Sequence, residues 1–285
     1  VRAPFDGRLD GSTALVTGAN TGIGRTAALS LARRGATVIV TARSEARAQP
    51  VVDEIVSGGG RAIPWALELS DLDAVARSAR ALLDRGFALD RLVFNAGLAG
   101  QRGLTRQGFE LTFGVNHLAH FLLGELLLPR ALERPHPRVV VVASNNHYHP
   151  RALDLGAVRE PTATRTGLRE YGLSKLANVM TAMDWAEQHR AAGLTAVSLN
   201  PGRVASDIWR RIPNPFRWLF MQTMRTVEQG AYTTVHCATL PRESIETGGY
   251  YDDCAPRPAS PVALDPQARA ALRRASLEWV GPHLS

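Results

Sequence analysis

The sequence predicts a doubly wound α/β fold, a single domain over residues 1–285 with a mostly parallel, seven-stranded sheet flanked by helices. Three observations carry this. Short β-rich runs alternate with helix-period segments along the chain. Val139 to Val142 is a run of four valines, continuous rather than alternating, as expected of a strand covered on both faces. A glycine-rich turn separates the first β-rich run from the first helical segment, where doubly wound sheets receive a ligand.

The strand runs, in order, are Ala14 to Thr17, Thr37 to Thr41, Ala62 to Leu67, Arg91 to Asn95, Val139 to Ala143, Thr195 to Leu199 and Gly249 to Asp252. No Pro/Gly/Ser-rich linker divides them, and 285 residues can bury one large core. Two stretches interrupt the alternation. Residues 145–168 form a long insertion after the valine strand. Residues 203–225 combine Trp209, Phe216, Trp218, Phe220, Met221 and Met224 with Pro213 and Pro215. Bulky apolar side chains among helix breakers suit a movable substrate lid, and an ordinary packed helical hairpin fits the same spacing.

Composition removes several function classes. Cys237 and Cys254 are the two cysteines, in no C-x-x-C or metal-ligand spacing, so neither a disulfide framework nor a zinc site is expected and a reducing cytoplasm is the default. Val1 to Asp10 has no apolar core of signal-peptide length, and no uncharged apolar run approaches a membrane span, so neither targeting nor membrane contact is expected. The net charge is +7. Its basic residues are scattered, with no runs beyond pairs such as Arg33-Arg34, and no aromatics interleave with them, which argues against nucleic-acid binding. His117, His120, His147 and His149 lack an accompanying carboxylate ligand motif, so no metal is expected; His147 and Tyr148 could line a substrate mouth.

The turn Thr17-Gly18-Ala19-Asn20-Thr21-Gly22-Ile23-Gly24 lies between strand and helix. Gly18 permits the sharp bend, Gly22 and Gly24 let backbone approach a pyrophosphate, and the helix N-terminus offers unpaired N–H groups. At the end of the second strand an NAD enzyme would carry an acid for the ribose 2′-hydroxyl. Here Arg43 occupies that place, and its planar, permanent cation suits the 2′-phosphate of NADP(H).

Tyr171 and Lys175 stand four apart in a helical segment and face the same way. Lys175 is the only lysine among 33 basic residues, so its chemistry distinguishes it from arginine. An ammonium beside a phenol favours the phenolate and would lower the Tyr171 pKa, making Tyr171 the acid/base while Lys175 reaches the nicotinamide ribose.

These motifs, in this order, resemble the short-chain dehydrogenase/reductase family, in its retinol-dehydrogenase-like and WW-domain-oxidoreductase-like branch. The resemblance spans nearly the whole chain, through Thr17 to Gly24, Asn95-Ala96-Gly97, Asn116 to Phe121, Ala143-Ser144, Tyr171 to Asn178, Asn200-Pro201-Gly202 and Gly249 to Cys254. It implies a Rossmann domain and a catalytic tetrad of Asn116, Ser144, Tyr171 and Lys175. Ser144 would hold the substrate oxygen, and Asn116 would hold a water connecting the lysine to solvent. It also implies cofactor contacts at Gly18, Asn20, Thr21, Gly22, Ile23, Arg43, Glu68, Leu69, Asn95, Ala96 and Gly97. On the nicotinamide side these continue with Pro201, Gly202, Val204 near the carboxamide and Ser206 near the pyrophosphate. A homodimer through the helices around 107–130 and 170–190 is a family habit.

Three departures bear on the transfer. Glu68 replaces the usual adenine-contacting aspartate, Ala143 and Asn145-Asn146 make the surroundings of Ser144 richer in amides, and no anchor precedes the domain, which weakens a specific retinoid claim. The expected activity is hydride transfer between NADP(H) and a hydrophobic or polycyclic ketone or secondary alcohol, in the ketoreductase direction. Arg210, Arg211 and Arg217 could meet an acidic substituent on such a small molecule. A catalytically silent NADP-binding regulatory protein, or a dehydratase or epimerase on the same scaffold, would carry many of the same motifs.

Overall fold

The computed structural model describes residues 2–202, 204 and 225–285. Seven parallel strands form β1 (Thr13–Val16), β2 (Thr37–Ala42), β3 (Arg61–Ala66), β4 (Arg91–Phe94), β5 (Arg138–Val142), β6 (Thr195–Asn200) and β7 (Tyr250–Asp252). These match the expected runs to within a residue or two at each end. An eighth, β8 (Ala255–Arg257), pairs antiparallel with β7 and was not expected. The link between them is Asp253-Cys254, both with left-handed backbone (φ 53° and 56°), the geometry of a tight hairpin. Such turns usually advertise themselves with Asn-Gly or Gly-Gly, and Asp-Cys does not.

The sheet order is β3-β2-β1-β4-β5-β6-β7-β8. Chain direction across the sheet reverses between β1 and β4, which opens a crevice beyond their carboxyl ends. Successive side chains of each strand go to opposite faces. Leu15, Ile39, Leu92, Val139 and Val141 enter one core, while Ala14, Val16, Val38, Val140 and Val142 enter the other. The valine run is therefore buried on both sides, as its lack of alternation predicts.

Helices α1 (Gly22–Arg33), α2 (Glu45–Ser57) and α3 (Leu72–Asp84) connect the first strands. A helical stretch follows: α4 (Leu111–Phe113), a π turn over Gly114–Leu118, and α5 (Ala119–Leu132). By length and composition Leu111–Leu132 could cross a membrane, although it contains Glu125 and Arg130; 83% of its most apolar window is buried and it serves as a core helix. The insertion at 145–168 holds two short 3-10 turns before α6 (Leu168–Gln188). The chain ends with α7 (Val227–Thr239), α8 (Pro261–Leu264) and α9 (Pro266–Val280).

Helix α9 lies over α5 and α6. Arg273 pairs with Asp184 at 3.1 Å and with Glu125 at 3.5 Å, Arg269 pairs with Glu187, and Trp279 packs on Phe109 and Phe113. Part of the surface that the expected dimer would use is thus covered by the chain's own last helix.

Candidate active site

The crevice at the β1/β4 switch point is a cavity of about 660 Å³. Its walls include Gly18, Asn20, Thr21, Gly22, Ile23, Arg43, Glu68, Leu69, Asn95, Ala96, Gly97, Tyr171, Lys175 and Pro201, all expected from sequence. Thr41, Leu67, Ser70, Leu98, Gln101, Leu111, Val115 and Val227 also line it and were missed, because they belong to no motif and carry no signal until the fold brings them together.

The glycines divide the work differently from expectation. Gly18 takes a left-handed bend (φ 62°) against Ala96. At Gly22 (φ 56°) an added Cβ would meet nothing within 4 Å, so open space lies in front of the α1 N-terminus. Gly24 also lines the cavity, and a Cβ there would lie 2.3 Å from the Gly18 carbonyl oxygen and 2.4 Å from Asn95 Nδ2. Its missing side chain lets helix and strand pack closely.

No acidic side chain sits in the first turn of α1, and Thr21 leaves the backbone N–H groups without a side-chain cap. An anion is favoured there by the helix dipole. Arg43 is exposed at the mouth and forms no ion pair among the described residues. Thr41 Oγ1, in the cavity wall, is buried without a hydrogen-bond partner. Glu68 lines the cavity with one carboxylate oxygen, Oε1, accepting from both the N–H and the hydroxyl of Ser70. Open space at the helix end, unused N–H donors and an orphaned hydroxyl fit a nicotinamide dinucleotide.

Asn95 steadies the sheet by donating from Nδ2 to the Thr17 carbonyl at 2.9 Å, and Thr17 Oγ1 accepts from the N–H groups of Asn95 and Ala96. His120 Nδ1 lies 3.0 Å from the Asn116 carbonyl, and Nε2 lies 2.9 Å from Thr17 Oγ1. A ring donating at Nδ1 and accepting at Nε2 satisfies both contacts while neutral. Burial pushes His120 down to about 4 and His117, which meets Ser276 Oγ at 3.2 Å, to about 3. These are structural histidines, and among the described residues no group of three metal-ligating side chains exists.

Asn116 lies within the π turn, a local widening of the helix often found at functional sites. Its Oδ1 accepts from Leu98 N at 2.8 Å, while Nδ2 donates to the Leu98 carbonyl and to Ser174 Oγ. The amide is thereby explained as a clamp on the loop after β4. A Cβ at Gly97 would stand 3.3 Å from Asn116 Oδ1 and 3.4 Å from Lys175 Nζ, so the glycine lets the two groups approach.

Lys175 is buried and donates to the Val142 carbonyl, the last of β5, at 2.8 Å. Its Nζ lies 5.5 Å from the Tyr171 ring centroid. Burial depresses the amine to about 7. The phenol differs from expectation: burial raises its pKa, only partly opposed by a hydrogen bond with the Ser144 hydroxyl. With Nζ directed at a backbone carbonyl, desolvation outweighs any ammonium effect on the ring.

Ser144, two residues after β5, caps the following 3-10 turn, its Oγ accepting from Asn146 N at 3.2 Å. His147 was expected near the substrate mouth but is fully buried, and Tyr148 is half-exposed with its hydroxyl donating to the Pro258 carbonyl. Val204 is buried against Gly230. Ser206 and all of the expected lid except Val204 and Arg225 fall outside the described residues.

Comparison with known proteins agrees with this arrangement. The family model for short chain dehydrogenase matches residues 12–156. The chain belongs to the short-chain dehydrogenase family. Human dehydrogenase/reductase SDR family member 13 is 39% identical over 288 residues, covering 96% of this chain and 74% of that protein. Human retinol dehydrogenase 11 is 35% identical over 252 residues, covering 87% and 79%. A Streptomyces sp. (strain C5) protein named as a candidate daunorubicin C-13 ketoreductase, DnrU, is 35% identical over 277 residues, covering 96% and 94%. The retinol-dehydrogenase-like branch is therefore the right one.

Among solved structures, an uncharacterized Mycobacterium paratuberculosis protein superposes with TM-score 0.78 at 28% identity, covering 98% of this chain and 96% of that one. A Beutenbergia cavernae protein, a candidate NAD(P)-dependent gluconate 5-dehydrogenase with bound NADP, superposes with TM-score 0.71 at 27% identity, covering 85% and 95%. As a short-chain dehydrogenase, the chain is an oxidoreductase of CH–OH and C=O groups that binds a nicotinamide cofactor.

Proposed function

We propose that this short-chain dehydrogenase uses NADP(H) and reduces a hydrophobic ketone. The observation that carries the reading is geometric: Tyr171 and Lys175, whose Nζ lies 5.5 Å from the phenol ring, line the same cavity that Arg43 and the α1 N-terminus border. The cofactor supplies or accepts a hydride when bound. Arg43 would hold its 2′-phosphate and the α1 N-terminus its pyrophosphate. The Tyr171 phenol gives its proton to the substrate oxygen, and Ser144 keeps that oxygen within reach. Lys175, near its midpoint at pH 7, can return a proton to the phenolate.

Leu98, Leu111 and Val115 on the cavity wall favour an apolar substrate. Relatives named for retinol and for a C-13 ketone favour an alcohol/ketone pair. The test is NADPH oxidation across a panel of ketones. Tyr171→Phe should abolish turnover and leave NADPH binding intact; substantial residual turnover removes the phenol from the mechanism. Arg43→Ala should raise the KM for NADPH far more than that for NADH, and equal changes would remove the case for the 2′-phosphate.

A further inference from the structure

His147 takes no part in the proton path, yet it is fully buried and both of its ring nitrogens are engaged. Nδ1 lies 2.8 Å from the Ser144 carbonyl oxygen, and Nε2 lies 3.1 Å from the backbone N–H of Ser260. An N–H can only donate, so Nε2 accepts and the proton sits on Nδ1, from which it donates to Ser144. The ring packs against both Tyr148 and Tyr250, with centroids 3.9 and 4.4 Å away.

The other hydrogen bonds that hold Ser144 within its turn are local: its carbonyl accepts from His147 N, and its Oγ accepts from Asn146 N. The imidazole reaches further. It connects Ser144 to the segment after β8, whose Ser260 in turn caps α8 through Ala263 N. Tyr250, which also packs on the ring, donates to Asn145 Oδ1 at 2.7 Å, so the turn is tied to β7 as well.

We infer that His147 is a positioning residue for Ser144, fixing the serine against the C-terminal segment through a single neutral tautomer. This rests on the assignment of Ser144 to the substrate oxygen. Loss of the link leaves the serine in place by sequence but free to tilt, and small misplacements of a positioning group lower turnover more than they weaken cofactor binding.

The test compares His147→Phe, which keeps the ring and loses both bonds, with His147→Asn, whose amide N–H can still reach the Ser144 carbonyl. Ser260→Pro is the third variant. It removes the donor to Nε2 at a backbone angle (φ −61°) that proline adopts. Expected is a fall in kcat of about tenfold for His147→Phe, partial rescue by Asn, a smaller fall for Ser260→Pro, and NADPH dissociation constants within about twofold of wild type throughout. Turnover kept by both His147→Phe and Ser260→Pro overturns the inference, as does loss of NADPH binding in step with kcat. NMR supplies an arm independent of turnover. The 15N shifts of His147 should report the Nδ1–H tautomer, and the Ser144 shifts should move in His147→Phe and not in Asn. A wild type that reduces no ketone would overturn the functional proposal, whereas the opposite tautomer or unmoved Ser144 shifts would overturn this one.

Discussion

Replacing Lys175 by an isosteric apolar residue should stabilise this protein. Lys175 is 3% exposed, and burial brings its amine from 10.5 in an unfolded chain to about 7 in the folded one. Each pKa unit corresponds to roughly 1.4 kcal/mol, so holding the charged form inside costs about 5 kcal/mol below pH 7. Lys175→Met removes that cost and loses one hydrogen bond to Val142, worth about 1–2 kcal/mol. Asn178 Nδ2 still approaches the same carbonyl at 3.4 Å. The net gain near pH 7 is about 3 kcal/mol. Its pH dependence is the signature. Because the folded pKa lies below the unfolded one, the wild type recovers stability as pH rises from 7 toward 10.5, and the variant has nothing to recover. The advantage of Lys175→Met should therefore be constant below pH 7 and shrink by about 2 kcal/mol between pH 7 and pH 9. Urea unfolding of both proteins without cofactor at several pH values measures it. A variant less stable than wild type at pH 7, or a gap indifferent to pH, would refute the claim that the lysine is held at an energetic cost for function.

Two further outcomes follow from the same geometry. Gly24→Ala drives a methyl group into the Gly18 carbonyl and Asn95 Nδ2, so it should lower stability by about 1–3 kcal/mol and weaken NADPH binding by displacing the turn; an unchanged melting temperature and unchanged NADPH affinity would show that α1 can shift freely. Acid should unfold the protein early, because His117 and His120 have folded pKa values near 3 and 4 against an unfolded 6.5. Folding leaves them unprotonated, so stability is full above pH 6.5 and is lost as pH falls toward 4. The two histidines remove about 3 kcal/mol between pH 6.5 and pH 5, partly offset by Glu110 and Asp184, whose carboxyls are raised by burial and act in the opposite sense. Equal urea midpoints at pH 7 and pH 5 would count against this.

Much of the molecule is legible in its amino-acid sequence. Local rules act over a few residues: a valine run reads as a doubly covered strand, a glycine turn between strand and helix reads as an anion site, and a Tyr and the only Lys four apart read as one helix face. The eighth strand is not legible there, because an Asp-Cys turn adopts left-handed backbone without the usual residues. The roles of Gly24, Asn116 and His147 escape sequence reasoning for a different reason. Their partners, Asn95, Leu98 and Ser260, lie far away in sequence, and the last two contribute backbone atoms that no motif marks.

What the sequence determined by itself is the order of elements, the location of the cleft and the chemical types in it, since each follows from side-chain periodicity or from the geometry a residue permits. Tertiary structure alone decided the protonation states. A phenol raised rather than lowered, an amine near 7 and histidines kept neutral are consequences of how much water each group loses on folding and which way its partners point. Desolvation depends on everything packed around a group, and no short stretch of sequence contains that information.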